Sequence, residues 1–161
     1  MDEIMLFTDG SVNTKSKIGY GSYLLVSDPS LPLDSLKKMV KVKKFEKTSS
    51  TKLELQTLLW ALGDIQISKS LVVYTDSQNI IGLPGRRERF EKNDYYSKNN
   101  KRLNNYELYQ KFYRATDQLS FKLVKIRGHK KTKQKDSIDK IFTIVDRASR
   151  DAMRKCTNMQ K

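Results

Sequence analysis

Cysteine is nearly absent from this chain: Cys156 is the only one among 161 residues. An internal disulfide is thereby excluded, and the expected setting is a reducing compartment, most simply the cytosol. Long apolar runs are missing as well, and none approaches the ~18 residues that a membrane span requires. The N-terminus carries Asp2 and Glu3 before "IMLF". A secretory signal places basic residues there, so no such signal is expected. Solenoid repeats and low-complexity tracts are lacking too. A length of 161 residues with 37% hydrophobic content suits one domain, residues 1–161, around one sizeable core.

Acidic residues are scarce: 18 stand against 32 Lys and Arg, for a net charge of +14. Such a surface attracts polyanions. The charge is also clustered. Phe121 to Lys135 holds seven basic residues and no acid, and Leu83 to Asn105 holds seven against three.

What is present reads as strands, then helices among strands. "IMLFT" (4–8) has the continuous apolar character of a buried strand, and 19–27 reads as a second strand after a turn around Asn13 to Ile18. Val40 and Val42 alternate with lysines in a third, half-exposed strand. "DPSLPLD", with two prolines, is expected to be a loop. Leu55, Leu58, Leu59, Leu62 and Ile65 form a helical stripe, with N-caps available from Thr48 to Thr51. "LVVYT" (71–75) is a buried strand, and the spacing predicts a short helix from Ser77 that stops before "GLPG". Leu108, Phe112, Ala115 and Leu119 stripe the next helix, "FKLVKI" (121–126) is a strand, and Ile138 to Ala148 stripe a last helix. The expected order is β-β-β-α-β-α-α-β-α, with least structure at 28–35, 83–104 and 128–137.

The scarce acids fall in telling places. Asp9 in "LFTDGSV" and Asp76 in "VYTDSQN" each follow an apolar run, an aromatic residue and a threonine. If the two strands are parallel neighbours, the carboxylates sit side by side at the ligand-binding edge of an α/β sheet. Two carboxylates ~4 Å apart repel by about 4 kcal/mol at an effective dielectric of 20. A divalent cation turns that repulsion into attraction, and hard oxygen donors suit Mg²⁺ or Mn²⁺. Glu54 and Asp146 stand on helices from which they can join. Asp136 and Asp139 are assigned instead to an exposed basic loop.

The segments "FTDGS", "TKLELQ", "YTDSQ", "KIRGHKK" and "IVDRASR" resemble, in order and rough spacing, the ribonuclease H type 1 family. The resemblance implies an α/β RNase H-like fold, a five-stranded mixed sheet with three antiparallel strands and then two parallel ones, flanked by helices. It implies four metal-binding carboxylates, Asp9, Glu54, Asp76 and Asp146, and a catalytic histidine at His129, which shuttles protons or helps product release. It also implies two Mg²⁺ ions, with Mn²⁺ able to substitute, that bracket one RNA phosphodiester. One activates a water, the other stabilises the departing 3′ oxygen, and the products carry 5′-phosphate and 3′-hydroxyl ends. The implied partner is an RNA–DNA hybrid, bound by a monomer away from membranes. Gly10, Ser11, Asn13 and Gln78 fall on groove-facing positions, and Lys130 adjoins the histidine. Arg86 and Arg87 open a segment, 83–105, in the place of the family's basic protrusion, where Tyr95 and Tyr96 accompany them.

The chain departs from the family in places. Ser50 and Thr51 stand where a pair of asparagines is common. "FTIVD" replaces Asn-Glu-x-x-Asp before the last aspartate, and the stretch from His129 to Asp146 is longer than usual. Asp151 is a poor substitute for Asp146, being ~140° away around the helix. Two other activities suit the same fold: a DNA nuclease or junction resolvase, and a catalytically silent nucleic-acid-binding domain. Intact acids at all four positions count against the silent domain.

Overall fold

The computed structural model describes residues 3–66, 70–127 and 136–159. Three strands lead: β1 (Ile4–Asn13), β2 (Ile18–Val26) and β3 (Lys41–Phe45), with a short helix α1 (Leu33–Lys37) between the second and third. Then come α2 (Ser50–Asp64), β4 (Leu71–Thr75), α3 (Gln78–Lys92), α4 (Tyr106–Gln118), β5 (Phe121–Lys125) and α5 (Ser137–Met159). They form one five-stranded sheet in the order β3-β2-β1-β4-β5. β1 pairs antiparallel with β2 and β2 with β3, whereas β1–β4 and β4–β5 are parallel. Helical crossovers precede both parallel pairings, as parallel strands require. Among the described residues no helix is long and apolar enough to cross a membrane.

Alternation along β1 distributes its side chains to two cores. Leu6 faces one side, with Val73, Leu55, Leu58 and Phe112. Met5 and Phe7 face the other, with Leu24, Ile141 and Val145 of α5. Phe7 stacks on Tyr74 at 4.8 Å between ring centroids, which reinforces the β1–β4 contact. On the α2 side, glycines set the spacing. A Cβ at Gly21 would lie 2.1 Å from Thr57 Oγ1, and one at Gly10 would lie 2.9 Å from Leu53 Cδ2. A larger residue at either position would force α2, or the side chain it presents there, to move.

Several expectations are corrected. β1 does not stop at residue 8 but runs to Asn13, because β2 pairs with it all the way to the turn. The loop expected at 28–35 gives way at Leu33 to α1, which buries Leu36 fully. The third strand is exposed almost throughout, with Val42 at 42%. The helix after Ser77 does not stop before "GLPG": α3 continues through Pro84 to Lys92. A proline inside a helix costs about 3 kcal/mol. Burial of Ile80 and Leu83, each worth ~1.5–3 kcal/mol, offsets it. The Tyr113 hydroxyl also donates to the Leu83 carbonyl at 2.7 Å, pinning the helix at that point to α4.

The stretch from 93 to 105 is compact rather than loose. Tyr95, at φ 63°, is buried, its N–H bonded to the Phe90 carbonyl and its carbonyl to the Leu103 N–H. It is therefore not available to grip a substrate, as its place in the sequence suggested. Tyr96 is exposed and bridges to Arg102, whose guanidinium lies over the Tyr96 and Tyr106 rings. Asp139 is not an exposed loop acid either. Asp136 and Asp139 exchange backbone N–H bonds with each other's carboxylates, a reciprocal cap at the start of α5 that buries Asp139.

Candidate active site

The β1–β4 register runs from Ile4↔Leu71 to Phe7↔Tyr74. Continued two residues further, it sets Asp9 opposite Asp76, just beyond the carboxyl end of β4. Asp9 shares the face of Phe7, the face covered by α5. The opposite residue on β2 is Ser22. Its buried hydroxyl donates to the Val145 carbonyl at 2.6 Å, which seats α5 against the sheet one residue before Asp146. The Asp9 and Asp146 carboxyls are thereby brought to the same side of the sheet, near enough for Asp146 to act on the Asp9 carboxyl.

Glu54 arrives from α2, just past its first turn, whose start is capped by the Ser49 hydroxyl. The Ser77 hydroxyl donates to Glu54 Oε2 at 2.5 Å and accepts the Ile80 N–H, which begins α3. The Ser77 N–H in turn donates to Thr75 Oγ1. One serine therefore ties α2, α3 and the end of β4 together beside Asp76. Asp146 also pairs with Arg150 Nε at 3.0 Å, one helical turn along.

The electrostatics record this crowding. Burial, then the charge of Asp76, then the hydrogen bond to Asp146 push the Asp9 carboxyl up to about 8, against partial relief from the Gly10 N–H. Burial raises Glu54 as well, with Asp76 adding to the rise and the Ser77 hydroxyl opposing it. Asp9 thus feels the charges of both Asp76 and Asp146, and Glu54 feels that of Asp76, although Asp76 itself is exposed. Among the described residues no three acid, histidine or cysteine groups form a ready-made metal cage. The donor chemistry nonetheless fits a hard divalent cation, since every converging group is a carboxylate and their mutual repulsion is what a cation relieves.

Other expected site residues are placed as follows. Gly10 and Ser11 continue β1 past Asp9. Asn13 Oδ1 accepts the N–H groups of Lys15 and Ser16, so its side chain closes the hairpin turn. Ser50 and Thr51 open α2. Gln78 is exposed at the first position of α3, its Oε1 accepting from Lys125 Nζ. Arg86 donates to Asn79 Oδ1. Arg87 makes a two-pronged bond to Asp117 at 2.7 and 2.8 Å and another to Glu91. His129 and Lys130 lie outside the described residues. Beside Ser11 a cleft of about 360 Å³ is lined by Arg150, Met153, Arg154, Thr157 and Asn158 of α5.

Ser22, Ser77 and Arg150 went unassigned in the sequence. Ser77 had a signal, its place in "TDSQ" directly after Asp76. Ser22 had none, because only the β1–β2 register sets it opposite Asp9.

A family profile described as RNase H matches residues 1–147. A protein of Clostridium botulinum named ribonuclease H is 25% identical over 147 residues, covering 88% of this chain and 93% of that one. One of the same name from Acetivibrio thermocellus is 24% identical, covering 89% and 94%. In three dimensions the chain is similar to the solution structure of the PFV RNase H domain, at a TM-score of 0.72 and 14% identity over 93% of each chain. A foamy viral protease-reverse transcriptase solved with dsDNA aligns at a TM-score of 0.59 and 10% identity, covering 88% of this chain and 91% of that one.

Proposed function

The chain belongs to the RNase H family, and from that premise we propose that it is a metal-dependent endonuclease that hydrolyses the RNA strand of RNA–DNA hybrids. The observation that supports the reading is the placement of Asp9 beside Asp76 at the carboxyl end of β4, with Asp146 acting on Asp9 and Asp76 acting on Glu54. Those four residues would hold two Mg²⁺ ions, or Mn²⁺ in their place. Ions held there would supply Lewis acidity, which would make a water a better nucleophile and offset charge on the departing 3′ oxygen, giving 5′-phosphate and 3′-hydroxyl ends.

The chain's own residues do the rest. Ser77 aims the Glu54 carboxylate, and Ser22 keeps Asp146 in register with Asp9. Arg150 partly neutralises Asp146 and stands at the mouth of the basic cleft beside Ser11, where a backbone phosphate fits. Gly10, Ser11 and Gln78 face the groove that displays 2′-hydroxyls, by which a protein tells RNA from DNA. His129 carries protons near the reacting phosphate or eases product release. The molecule acts as a single-domain monomer in the cytoplasm.

Matched RNA–DNA, RNA–RNA and DNA–DNA duplexes with Mg²⁺ test this. Cleavage confined to the RNA of the hybrid is expected, abolished by EDTA and by Asp9→Asn or Asp76→Asn without loss of fold. Preferential cleavage of DNA duplexes or junctions would favour the nuclease or resolvase alternative.

A further inference from the structure

Lys125 is the last residue of β5, and the β4–β5 register sets it beside Thr75, one residue before Asp76. It shares strand parity with Phe121 and Leu123, which pack on the α2–α4 side of the sheet. From there its ammonium reaches α3 and donates to Gln78 Oε1 at 2.5 Å. An ammonium has three donors and no acceptor, so only the oxygen end of the glutamine amide can face it. The Gln78 NH₂ is therefore turned away from Lys125, at an exposed position next to the carboxylate edge. The next amide along α3 is oriented in the same manner. Arg86 holds Asn79 Oδ1 at 3.2 Å, and Asn79 Nδ2 has no partner among the described residues.

We propose that Lys125 is a positioning residue for substrate recognition: by holding Gln78 Oε1 it locks the amide so that its NH₂, and not its carbonyl, meets the minor groove of a bound hybrid. The inference rests on the hybrid-cleaving function proposed above. A free glutamine amide presents donor or acceptor according to the rotation of its last bond. Minor-groove edges offer purine N3 and pyrimidine O2 acceptors at every base pair. A locked donor therefore finds an acceptor at each pair, beside the amino group that guanine adds, and the oxygen of a neighbouring 2′-hydroxyl as well. Lys125 thus favours contact with the groove irrespective of sequence, without itself touching the duplex.

The test is a double-variant cycle in steady-state cleavage of an RNA–DNA hybrid. Lys125→Met keeps the reach of the side chain and removes its donors, and Lys125→Arg keeps donors. Lys125→Met and Gln78→Ala should each raise KM by about 3–10-fold, the worth of one hydrogen bond. Turnover should stay within about twofold, as for lost binding that is equal in ground and transition states. The double variant should be no worse than Gln78→Ala alone, and Lys125→Arg should stand close to the unaltered protein. A hybrid carrying 3-deazapurines, which lack N3, should raise KM for the unaltered protein and no further for Lys125→Met. Circular dichroism melts check that each variant is folded. Effects that multiply in the double variant, with the salt slope reduced by about one, would mean that Lys125 grips a phosphate directly, and would overturn the proposal. An unchanged KM in Lys125→Met overturns it as well. If the unaltered protein leaves the hybrid intact, the function itself is misassigned and the inference falls with it.

Discussion

Asp9 is the residue at which folding and the proposed function conflict most. Folding raises its carboxyl from 3.8 to about 8, so the native state binds this proton more tightly than the unfolded chain does. Where the native state holds more protons, stability falls as pH rises. Without metal, then, the protein should lose stability progressively as the pH rises from about 4 to about 8, and Glu54, also raised, adds in the same direction. Asp9→Asn removes the larger contribution. Thermal melts in EDTA at several pH values should show a falling midpoint for the unaltered protein and a much flatter profile for Asp9→Asn. An unaltered slope in the variant would place the source elsewhere. Added Mg²⁺ should flatten the profile too, because a cation keeps the carboxylate ionised at no cost in repulsion.

At the scale of elements, the approach of α2 to the sheet decides where Glu54 stands. Gly21 leaves room for Thr57, and Gly10 for Leu53, one residue from Glu54. Gly21→Ala brings a methyl to 2.1 Å from Thr57 Oγ1, so the helix must shift or the threonine must turn. Overpacking of this kind costs about 1–3 kcal/mol. Urea unfolding should show that loss. Thr57→Ala in the same chain should restore part of it, since the hydroxyl and methyl go but the Thr57 Cβ remains at 3.0 Å. Cleavage by Gly21→Ala should fall even at temperatures where the variant is fully folded, because Glu54 moves with α2. α3 illustrates the opposite balance. Its local signals, Gly82, Pro84 and Gly85, all favour a break, and tertiary burial of Ile80 and Leu83 overrides them.

At the scale of the whole molecule, the net charge of +14 governs the approach to a nucleic acid. Part of that charge is committed internally: Arg87 to Asp117 and Glu91, Arg102 to Asp94 and two tyrosine rings. Lysines 41, 43 and 44 line the outer edge strand, where they also discourage pairing with another sheet. The remaining basic groups release counterions when a duplex binds. If six to ten phosphates are contacted, affinity should drop on the order of 10³–10⁵-fold between 50 and 200 mM salt, on the scale of B-DNA. Fluorescence anisotropy with a labelled hybrid and the cleavage-dead Asp76→Asn variant measures this directly. A flat response would show that the basic surface faces away from the substrate.

The sequence by itself determined the fold class and the order of the main elements, and it singled out the four acids on which the proposed function rests. Strand alternation, helical stripes and short motifs such as "TDGS" and "TDSQ" are local properties that chain spacing preserves. It also determined the polyanion-seeking charge, which composition alone sets. The tertiary structure decided what depends on partners distant in the chain. The continuation of α3 through Pro84 depends on α4, the burial of Tyr95 on the turn that follows it, and the seating of Asp146 on a serine 123 residues away from Val145. Ser22 and Lys125 look in sequence like ordinary strand residues. Only the register of β2 against β1, and of β5 against β4, brings one to the acid it supports and the other to the glutamine it orients. Register is set by the packing of whole faces, and no short stretch of sequence contains it.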